Sequence, residues 1–562
     1  MSAPDGVVEA TSVLHWPARA AEATGLGLGA AVVGATALFI TPVLVAALAV
    51  DGPTPLFWTI LIADLTLLFL FALATGRRPA LFVGVLVLWF SVQRLAVALA
   101  APHVEADTVR LLVTYKEGFY FILIASAALT FGRRLREGSP APTPLMPADV
   151  LALALLVLLG VAFLVSSSDL SPKLTYGRRL AAPLLLYLGG RLLVPDRGQL
   201  MAALRLLVAV GLAVAAFGLV ERFVLGTGFW RHTVDALTFY GKLAEGGLLP
   251  SDWVRSFQGV PEGIFSAFPV GVPVRRLVST FLEPTTLGAF LAFVLLLVLF
   301  VPGLVAEKRG ALWYGASLTL AVAIAATVSR GAMEIALIGG AGVVVAGFWQ
   351  RNRLPPLREC ALLAAIGVFL LASLLVTSLS FSQFPDRRAQ IQDVLSVGVI
   401  SGFPGYKAPP PDPNAIDVGV RTHVNGLSSG IEKMLQEPLG TGLGAAGGWS
   451  QAPEVGSESA VGTVAAQLGV LGLGLWAVFH LVLVASLAVC GLRERWAGDG
   501  VNAALLLTLS AALGGLTFTA IFSESASGLL GNAMYFLFAG WALAALVPAG
   551  RGRAFGENGE PG

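Results

Sequence analysis

Residues 275–301 read RRLVSTFLEPTTLGAFLAFVLLLVLFV, and they contain both kinds of sequence that make up this chain. A polar start with two arginines leads through Glu283-Pro284 into an uninterrupted apolar run centred near residue 292. Such a run is typical of a helix that crosses the hydrocarbon core of a bilayer, which is about 30 Å thick. Similar runs recur from residue 28 to residue 548. The sequence therefore predicts one membrane domain that takes up nearly the whole chain.

The composition excludes an ordinary soluble protein. Hydrophobic residues make up 56% of the 562 residues, charged residues make up 12%, and the mean hydropathy is +0.81. A soluble domain carries about 25% charged residues, roughly twice the fraction found here. The net charge of +2 gives no indication of a nucleic-acid partner, and none is expected.

Taking apolar runs of about 17 to 25 residues as spans, we predict an all-α, polytopic integral membrane protein with 12–14 transmembrane helices and two long outer loops. Fourteen spans alternate without conflict, and they centre near residues 39, 65, 89, 120, 157, 185, 212, 292, 320, 341, 370, 475, 511 and 538. Twelve spans is the alternative, because the span near 120 contains Lys116 and Glu117 and the span near 185 is short.

Positive charges fall unevenly on the two sides of these spans. One side holds arginine pairs and triplets, such as those within 77–78, 133–136 and 351–358. The opposite side holds only scattered cations: Arg110, Lys173, Arg178, Arg179 and Arg330. Cytoplasmic loops carry the excess of positive charge. We therefore predict that both termini lie in the cytoplasm and that the polar chemistry lies on the outer face, which is the periplasmic face if this is a bacterial inner membrane.

This topology divides the chain into seven parts. They are a polar tail (1–27), amino-terminal transmembrane helices (28–225), a first long outer loop (226–281), central helices (282–381), a second long outer loop (382–457), carboxy-terminal helices (458–548) and a second polar tail (549–562).

The first polar grouping is the start of the opening stretch. Arg275 and Arg276 offer guanidinium donors that suit a phosphate or carboxylate; alternatively they form a solvated pair that holds the next helix at the interface. Glu283 precedes Pro284 at a helix start, where an acid suits the positive end of the helix dipole. Capping is therefore its expected role, and substrate binding is the alternative.

The second grouping is the tight outer turn Ser329-Arg330-Gly331. Arg330 lies there against the positive-inside bias. It either reaches a lipid phosphate or faces a cavity and binds an anionic substrate. We favour the cavity, with Ser329 beside it and Glu334 as its partner.

The third grouping begins at Arg421-Thr-His423. Apolar residues at 427, 431, 434 and 435 predict an amphipathic helix over 423–437 that lies on the outer membrane surface. His423 is a candidate base or proton shuttle, although a loop histidine is more often solvated. The flexible turn that follows contains Gly442 and Gly444, whose backbone amides could approach a phosphate.

The fourth grouping is Ser457-Glu458-Ser459, which opens the span near 475, and a matching Ser523-Glu524-Ser525 lies on the same face. These residues are ordinary helix caps, or else Glu458 takes a proton from a sugar hydroxyl. Trp253 belongs to a set of aromatic residues in the first outer loop, which either pack on sugar rings or anchor the loop at the interface.

Four of these segments resemble the O-antigen ligase and polymerase family. They are R-x-x-S-T-F-x-x-P-x-x-L-G (276–288), S-R-G (329–331), R-x(16)-P-L-G-T-G-L-G (421–444) and E-S-x(7)-Q-L-G-V-L-G (458–472). The similarity covers about residues 180–490. It implies a GT-C type glycosyltransferase that uses a polyprenyl-diphosphate-linked glycan, with arginines that hold the diphosphate and no metal or other cofactor.

Glu458-Ser459 occupies the position where ligases of this family have a histidine-asparagine pair, so the chain looks more like the polymerase branch. The resemblance implies that the diphosphate leaves toward Arg276, Arg330 and Arg421 while Glu458 orients or deprotonates the acceptor. The implied partners are the lipid-linked donor and acceptor, the bilayer and a chain-length regulator.

Two rival functions remain open at this point. An O-antigen ligase would transfer the glycan to lipid A-core. A transporter or flippase of lipid-linked glycan should carry ionisable residues at mid-bilayer on several helices, and few are found, such as Asp64, Arg94, Lys116 and Glu117.

The predicted orientation can be tested by cysteine labelling. Cysteines placed at Asp252 and Asp412 should react with a membrane-impermeant thiol reagent in intact spheroplasts, whereas a cysteine at Arg353 should react only after permeabilisation. Labelling of position 353 from outside would reverse the orientation of every helix.

Overall fold

A computed structural model describes residues 69, 70, 72, 78–137, 145–193, 196–246, 256–257, 260–261, 265–267, 273–305, 310–348, 357–379, 418–446, 459–523 and 531–547. Fifteen helices of nine residues or more run in the order α1 (Pro79–Ala100), α2 (Ala106–Thr114), α3 (Lys116–Arg136), α4 (Pro147–Val165), α5 (Leu170–Leu192), α6 (Arg197–Val220), α7 (Ala236–Glu245), α8 (Pro284–Phe300), α9 (Ala311–Ala326), α10 (Arg330–Phe348), α11 (Leu357–Leu379), α12 (Val418–Gln436), α13 (Ala460–Trp496), α14 (Gly500–Thr519) and α15 (Gly531–Leu546).

The fold is that of an all-α polytopic membrane protein. Within the described ranges, seven helical segments are long and apolar enough to cross a membrane, and three further apolar helices are shorter. The seven are Pro79–His103, Ala106–Arg134, Pro147–Val165, Arg197–Thr233, Arg358–Thr377, Ala460–Trp496 and Gly500–Thr519. The predicted centres at 39 and 65 lie outside the described residues. The count of 12–14 spans stays a prediction.

Two short antiparallel hairpins depart from the all-helical expectation. They pair β1 (Ser256–Phe257) with β2 (Val260–Pro261) and β3 (Phe265–Ala267) with β4 (Pro273–Arg275). Both fall in the first predicted outer loop and lead the chain back to the start of α8.

Helix ends meet on two separate faces. On one face Arg191 at the end of α5 binds Asp149 at the start of α4 (Nε to Oδ1 3.0 Å), and Arg197 at the start of α6 binds Asp499 before α14 (3.1 Å). On the other face, the Leu277 amide before α8 donates to the carbonyl of Ala326 at the end of α9 (2.9 Å). Spans that alternate in direction would place these helix ends on the same two faces. Which of the two faces is cytoplasmic is inferred from the distribution of arginine and lysine in the sequence.

Glycines allow the helices to approach closely. A Cβ atom on Gly190 of α5 would lie 2.3 Å from the Leu537 carbonyl oxygen of α15, and one on Gly540 of α15 would lie 2.1 Å from the Tyr187 carbonyl oxygen of α5. Lipid provides no hydrophobic driving force between helices, so association depends on such close packing at small residues.

The predicted amphipathic helix is present as α12, which begins at Val418, five residues earlier than expected. Glycines form the face of α12 that packs on the bundle. Gly426 and Gly430 are buried against Gly462 of α13, whereas Leu435 is 70% exposed. A glycine stripe, rather than the apolar stripe, therefore attaches α12 to the bundle.

Helix α13 is broken at Gly469, which has φ 66° and ψ −162°. The glycine-rich segment 440–444 supplies hydrogen bonds to the broken region: the amides of Thr441 and Gly442 donate to the carbonyls of Ala466 and Gln467 (2.9 and 3.0 Å). The Val470 amide donates to the Pro438 carbonyl (2.9 Å). Backbone groups inside a membrane protein must find such partners, so this segment stabilises a helix break and is not a flexible turn.

We expect the close contact at Gly190 to be essential for stability. Gly190→Ala should lower the free energy of unfolding by about 1–3 kcal/mol, because the added methyl group overpacks the contact between α5 and α15. Thermal unfolding of the purified protein in detergent measures this change. Gly160→Ala in α4 is the matched control, because its Cβ would meet nothing within 4 Å; an equal loss in both variants would contradict the assignment.

Candidate functional site

The first and second polar groupings meet on the face where α8 and α10 begin. The Arg276 Nε donates to the Thr327 carbonyl at 2.9 Å. A Cβ on Gly288 of α8 would lie 2.7 Å from the Ala332 Cβ and 3.1 Å from the Ser329 Cβ. Gly288, the last residue of the motif at 276–288, therefore lets the turn at 327–332 pack directly on α8.

Arg275 is not available to a diphosphate. It forms an ion pair with Glu221 at the end of α6 (Nη1 to Oε2 2.7 Å), and the two side chains are 4% and 0% exposed. Glu221 also accepts a hydrogen bond from the Trp230 indole (2.7 Å) and from the Val278 amide (3.2 Å). The predicted ligand role of Arg275 is wrong, because all of these contacts make it the buried counterion of Glu221.

Arg276 presents the opposite case. Among the described residues its guanidinium makes one hydrogen bond, through Nε, and has no carboxylate within ion-pair distance. Burial lowers the pKa of Arg276 to about 10; the nearby Glu283 and Tyr240 oppose this shift, and Arg330 adds to it. The group is still charged at neutral pH, and its two terminal nitrogens can bind an anion in a bidentate manner.

Glu283 does not cap α8 as expected. It precedes the helix, but its side chain makes no hydrogen bond to the backbone amides of the first turn. Instead it forms an ion pair with Arg94 of α1 and accepts a hydrogen bond from the Thr285 hydroxyl (3.1 Å). Burial raises the pKa of the Glu283 carboxyl, but the Arg94 charge and the hydrogen bonds from Arg94, Thr286 and Thr285 together outweigh burial and hold that pKa below its ordinary value.

Arg94 was a candidate for a mid-bilayer charge, and its depth in the membrane stays a prediction. It lies six residues before the end of α1, about 9 Å along the helix, and it reaches both the Glu283 carboxylate and, at 3.4 Å, the Phe281 carbonyl. The side chains of Asp64, Lys116 and Glu117 lie outside the described set.

Charges from the second and third groupings meet beside Arg276. Arg330 is close enough for its charge to act on Arg276, and both Arg330 and His423 act on the Glu334 carboxylate. All three side chains of this second set are partly buried. Arg421 lies two residues before His423 in the first turn of α12. The fold thus brings residues about 150 positions apart into one polar cluster, which we name the outer cluster: Arg276, Glu283, Arg330, Glu334 and His423.

The backbone around the outer cluster is strained. In the described chain, non-glycine residues with positive φ are Asp235, Ser279, Leu282 and Val328, and the last three flank Arg276, Glu283 and Arg330. A β-branched residue such as Val328 rarely adopts φ 52°. Strained residues of this kind concentrate at functional sites. The hydroxyl of Thr280 is also buried there without a hydrogen-bond partner among the described residues.

Several predicted substrate contacts have structural roles. The Ser329 hydroxyl accepts from the Ala332 amide (3.4 Å) at the start of α10. The amides of Gly442 and Gly444 are not a phosphate cradle, because they donate to the Gln467 carbonyl and, at 3.2 Å, to its side-chain oxygen. Ser459 caps α13 by accepting from the Gly462 amide (3.0 Å). Glu458 and Trp253 lie outside the described residues.

Sequence reasoning missed the residues that hold the outer cluster in place. Glu221 could have been noticed as a lone acid at the end of an apolar span. Tyr240, whose hydroxyl donates to the Leu282 carbonyl, and Lys242, which donates to the Ala101 carbonyl at 2.7 Å, had no distinguishing pattern. These two hydrogen bonds attach α7 to the segment before α8 and to the end of α1.

No group of three metal-binding side chains occurs in the part of the chain that the structure describes. No protein-family model matches the chain, and no curated protein is found to be related to it. The resemblance to O-antigen ligases and polymerases therefore rests on the sequence motifs alone.

Adjacent Arg275 and Arg276 provide a matched pair of variants. Arg275→Ala should lower the free energy of unfolding by about 3–5 kcal/mol, because it leaves the buried Glu221 carboxylate without its counterion. Arg276→Ala should cost much less, since it removes one hydrogen bond worth about 0.5–1.5 kcal/mol. Membrane abundance and the melting temperature in detergent distinguish them. Equal losses would contradict the different roles assigned to the two arginines.

Proposed function

We propose that the protein is a membrane glycosyltransferase that polymerises polyprenyl-diphosphate-linked repeat units into O-antigen, capsule or exopolysaccharide. The observation that carries this proposal is that Arg276, whose Nε donates to the Thr327 carbonyl at 2.9 Å, lies close to Arg330 and beside the carboxylate of Glu283, at one end of a bundle of apolar helices. An amphiphilic substrate with a diphosphate head and a hydrocarbon tail matches this arrangement of charge and apolar surface.

The proposed chemistry is a direct displacement. A hydroxyl oxygen of the acceptor sugar attacks the anomeric carbon of the donor, and the bond from that carbon to the diphosphate oxygen breaks. The leaving diphosphate gains negative charge, which fixed guanidinium groups stabilise when they are already in position and shielded from water. Arg276, Arg330 and Arg421 are the proposed diphosphate ligands.

The site is proposed to lie on the outer face of a bacterial inner membrane, where lipid-linked units would enter from the bilayer. The acceptor's proton was assigned to Glu458 from the sequence, and that role stays a prediction. The donor, the acceptor and a chain-length regulator are the proposed partners.

A transporter or flippase of lipid-linked glycan stays a less favoured alternative. It would need ionisable residues near mid-bilayer, and of the candidates for such positions Arg94 forms an ion pair with Glu283. A ligase remains the alternative within the same class, because it would use the same diphosphate ligands.

A deletion strain distinguishes these functions. Loss of a polymerase should leave one repeat unit on each surface anchor in a polysaccharide gel. Free, unligated polymer would identify a ligase instead, and normal surface polysaccharide would refute both proposals. The strain should also accumulate lipid-linked repeat units, which then serve as substrate for assays of the purified protein.

The three arginines should be needed for polymerisation. Arg276→Ala, Arg330→Ala and Arg421→Ala should each abolish polymer while leaving the protein level in the membrane unchanged. Replacement by lysine should restore the charge but only part of the activity, because an ammonium group cannot form the bidentate contact. Polysaccharide length in complemented deletion strains is the measurement. Normal length in the Arg330→Ala strain would remove that residue from the site.

A further inference from the structure

We propose that the bilayer leaflet nearest the outer cluster covers an apolar patch formed by α12 and the broken region of α13. All members of this patch are large apolar side chains that are exposed in the structure: Val424, Leu435, Leu439, Val470 and Leu471. The sequence predicted only that an amphipathic helix lies on the membrane surface. The residues that enter the lipid, and the position of the bilayer boundary at the break in α13, come from the structure.

The part of α13 that follows the break has one lipid-facing side as long as a bilayer core is thick. Its exposed large apolar side chains, apart from the terminal tryptophan, are Val470, Leu471, Val478, Leu481 and Val489. At 3.6 residues per turn, these side chains fall within an arc of about 100°. At 1.5 Å per residue, the first and the last lie about 28 Å apart along the helix, and the hydrocarbon core is about 30 Å thick. This side therefore borders hydrocarbon from Val470 to Val489.

The two ends of this side have the features of membrane boundaries. Beyond Val489 the helix ends with Arg493, Arg495 and Trp496, whose side chain is 78% exposed. Arginine and tryptophan are typical of the interface between lipid and water. At the other end, Val470 directly follows Gly469, where the helix is broken. The break therefore lies at the second boundary.

Contacts with α14 show that α13 changes direction at Gly469. The Ser510 hydroxyl donates to the Val484 carbonyl (2.8 Å), and the Ala460 amide donates to the Ala520 carbonyl (3.1 Å). These two contacts lie about 15 Å apart along α14, but a straight α13 would separate them by about 36 Å. The part of α13 before the break therefore does not continue away from the membrane. It runs sideways near the boundary.

Helix α12 lies beside this sideways part of α13. A Cβ on Gly430 would lie 2.3 Å from the Gly462 carbonyl oxygen, and the Val470 amide donates to the Pro438 carbonyl (2.9 Å). These contacts hold both α12 and the residues after it at the level of the boundary. Leu439 follows Pro438 and is 92% exposed, more than any other large apolar side chain of the described chain. Leu439 thus lies next to the first lipid-facing residue of α13.

The surface of α12 that is not packed on α13 is divided into an apolar and a polar side. Val424 and Leu435 share one side, because eleven residues make about three helical turns. The neighbouring side carries exposed polar residues at spacings of three and four: Asn425, Ser428, Glu432 and Gln436. A helix with this division lies in the interface, with its apolar side in lipid and its polar side in water.

Continuity with α13 identifies the occupant of the patch as lipid. Leu439 adjoins Val470, and the exposed apolar side that begins at Val470 continues through the whole thickness of the hydrocarbon core. Acyl chains that contact Val470 and Leu471 therefore reach Leu439 and Leu435 as well. An apolar surface of this kind is stable in lipid but costly in water.

The test is site-directed spin labelling of the full-length protein in lipid nanodiscs. Single cysteines replace Leu435 or Leu439 in a background in which the free Cys360 and Cys490 are changed to alanine. Oxygen concentrates in hydrocarbon, whereas a charge-neutral nickel chelate stays in water. The label should therefore collide with oxygen more often than with nickel at both positions.

Matched positions calibrate the depth. Leu481 lies near the middle of the lipid-facing side of α13, so its label should give the largest excess of oxygen collisions. Asn425 and Gln436 lie on the polar side of α12, and their labels should collide more often with nickel. The ratio of the two collision rates should thus decrease from Leu481 to Leu439 and fall further at Asn425 and Gln436.

A second measurement needs no substitution. Wild-type protein in nanodiscs that contain phosphatidylcholine with a photoreactive acyl chain should form lipid adducts within 435–439. Adducts should also form on the exposed side of α13 between Val470 and Val489, which is the internal control. Mass spectrometry of the digested protein locates them.

Three outcomes would overturn the inference. An excess of nickel collisions at Leu439 would mean that the patch faces water. Labels at Leu435 and Leu439 that are immobilised and shielded from both reagents would mean that a second copy of the chain or another protein covers it. Adducts on α13 with none at 435–439 would also contradict a lipid contact. No substrate takes part in these measurements, so their outcome is independent of the proposed glycosyl transfer.

Discussion

Close backbone contact at glycines is the constraint on which the rest of this structure depends. Lipid provides no hydrophobic driving force for helix association, so the bundle is held by close packing of helix surfaces. At the glycines, the backbone carbonyl of one helix lies in contact with the backbone of its neighbour. Gly288 admits the turn at 327–332, and Gly430 meets Gly462. The same contacts bring the start of α8 to the turn at 327–332 and attach α12 to α13. The motifs that suggested a glycosyltransferase are therefore packing motifs as well, and their glycines have a structural role whatever the protein binds.

The arginines of the site differ in whether a carboxylate neutralises their charge. Arg275 is paired with Glu221 and Arg94 with Glu283, which makes each pair electrically neutral as a unit. Arg276 has no such carboxylate within ion-pair distance among the described residues. Burying an unpaired charge is costly, and strained backbone at Ser279, Leu282 and Val328 adds to that cost. A bound diphosphate would offset the cost of the unpaired charge and of the backbone strain. This is a physical reason for such an unfavourable arrangement to persist.

The broken helix α13 shows how an irregular segment can exist inside a membrane protein. Its break at Gly469 exposes backbone groups that hydrocarbon cannot satisfy, and the segment 438–442 supplies the missing donors and acceptors. This segment follows α12 directly. The position of His423 is thus tied, through α12, to the geometry of the break.

The sequence by itself determined the class of the protein, the approximate place of most helices and the polar segments that would matter. Apolar runs, glycines and helix-starting prolines are local signals, and they can be read without knowing the fold. Which carboxylate each arginine binds was decided only by tertiary structure, because the partners are far apart in the sequence. Glu221 lies 54 residues from Arg275, and Arg94 lies 189 residues from Glu283. Arg275 and Arg276 look identical in sequence, yet one is a buried counterion and the other faces the site, since hydrogen bonding depends on distances of about 3 Å that local patterns do not contain.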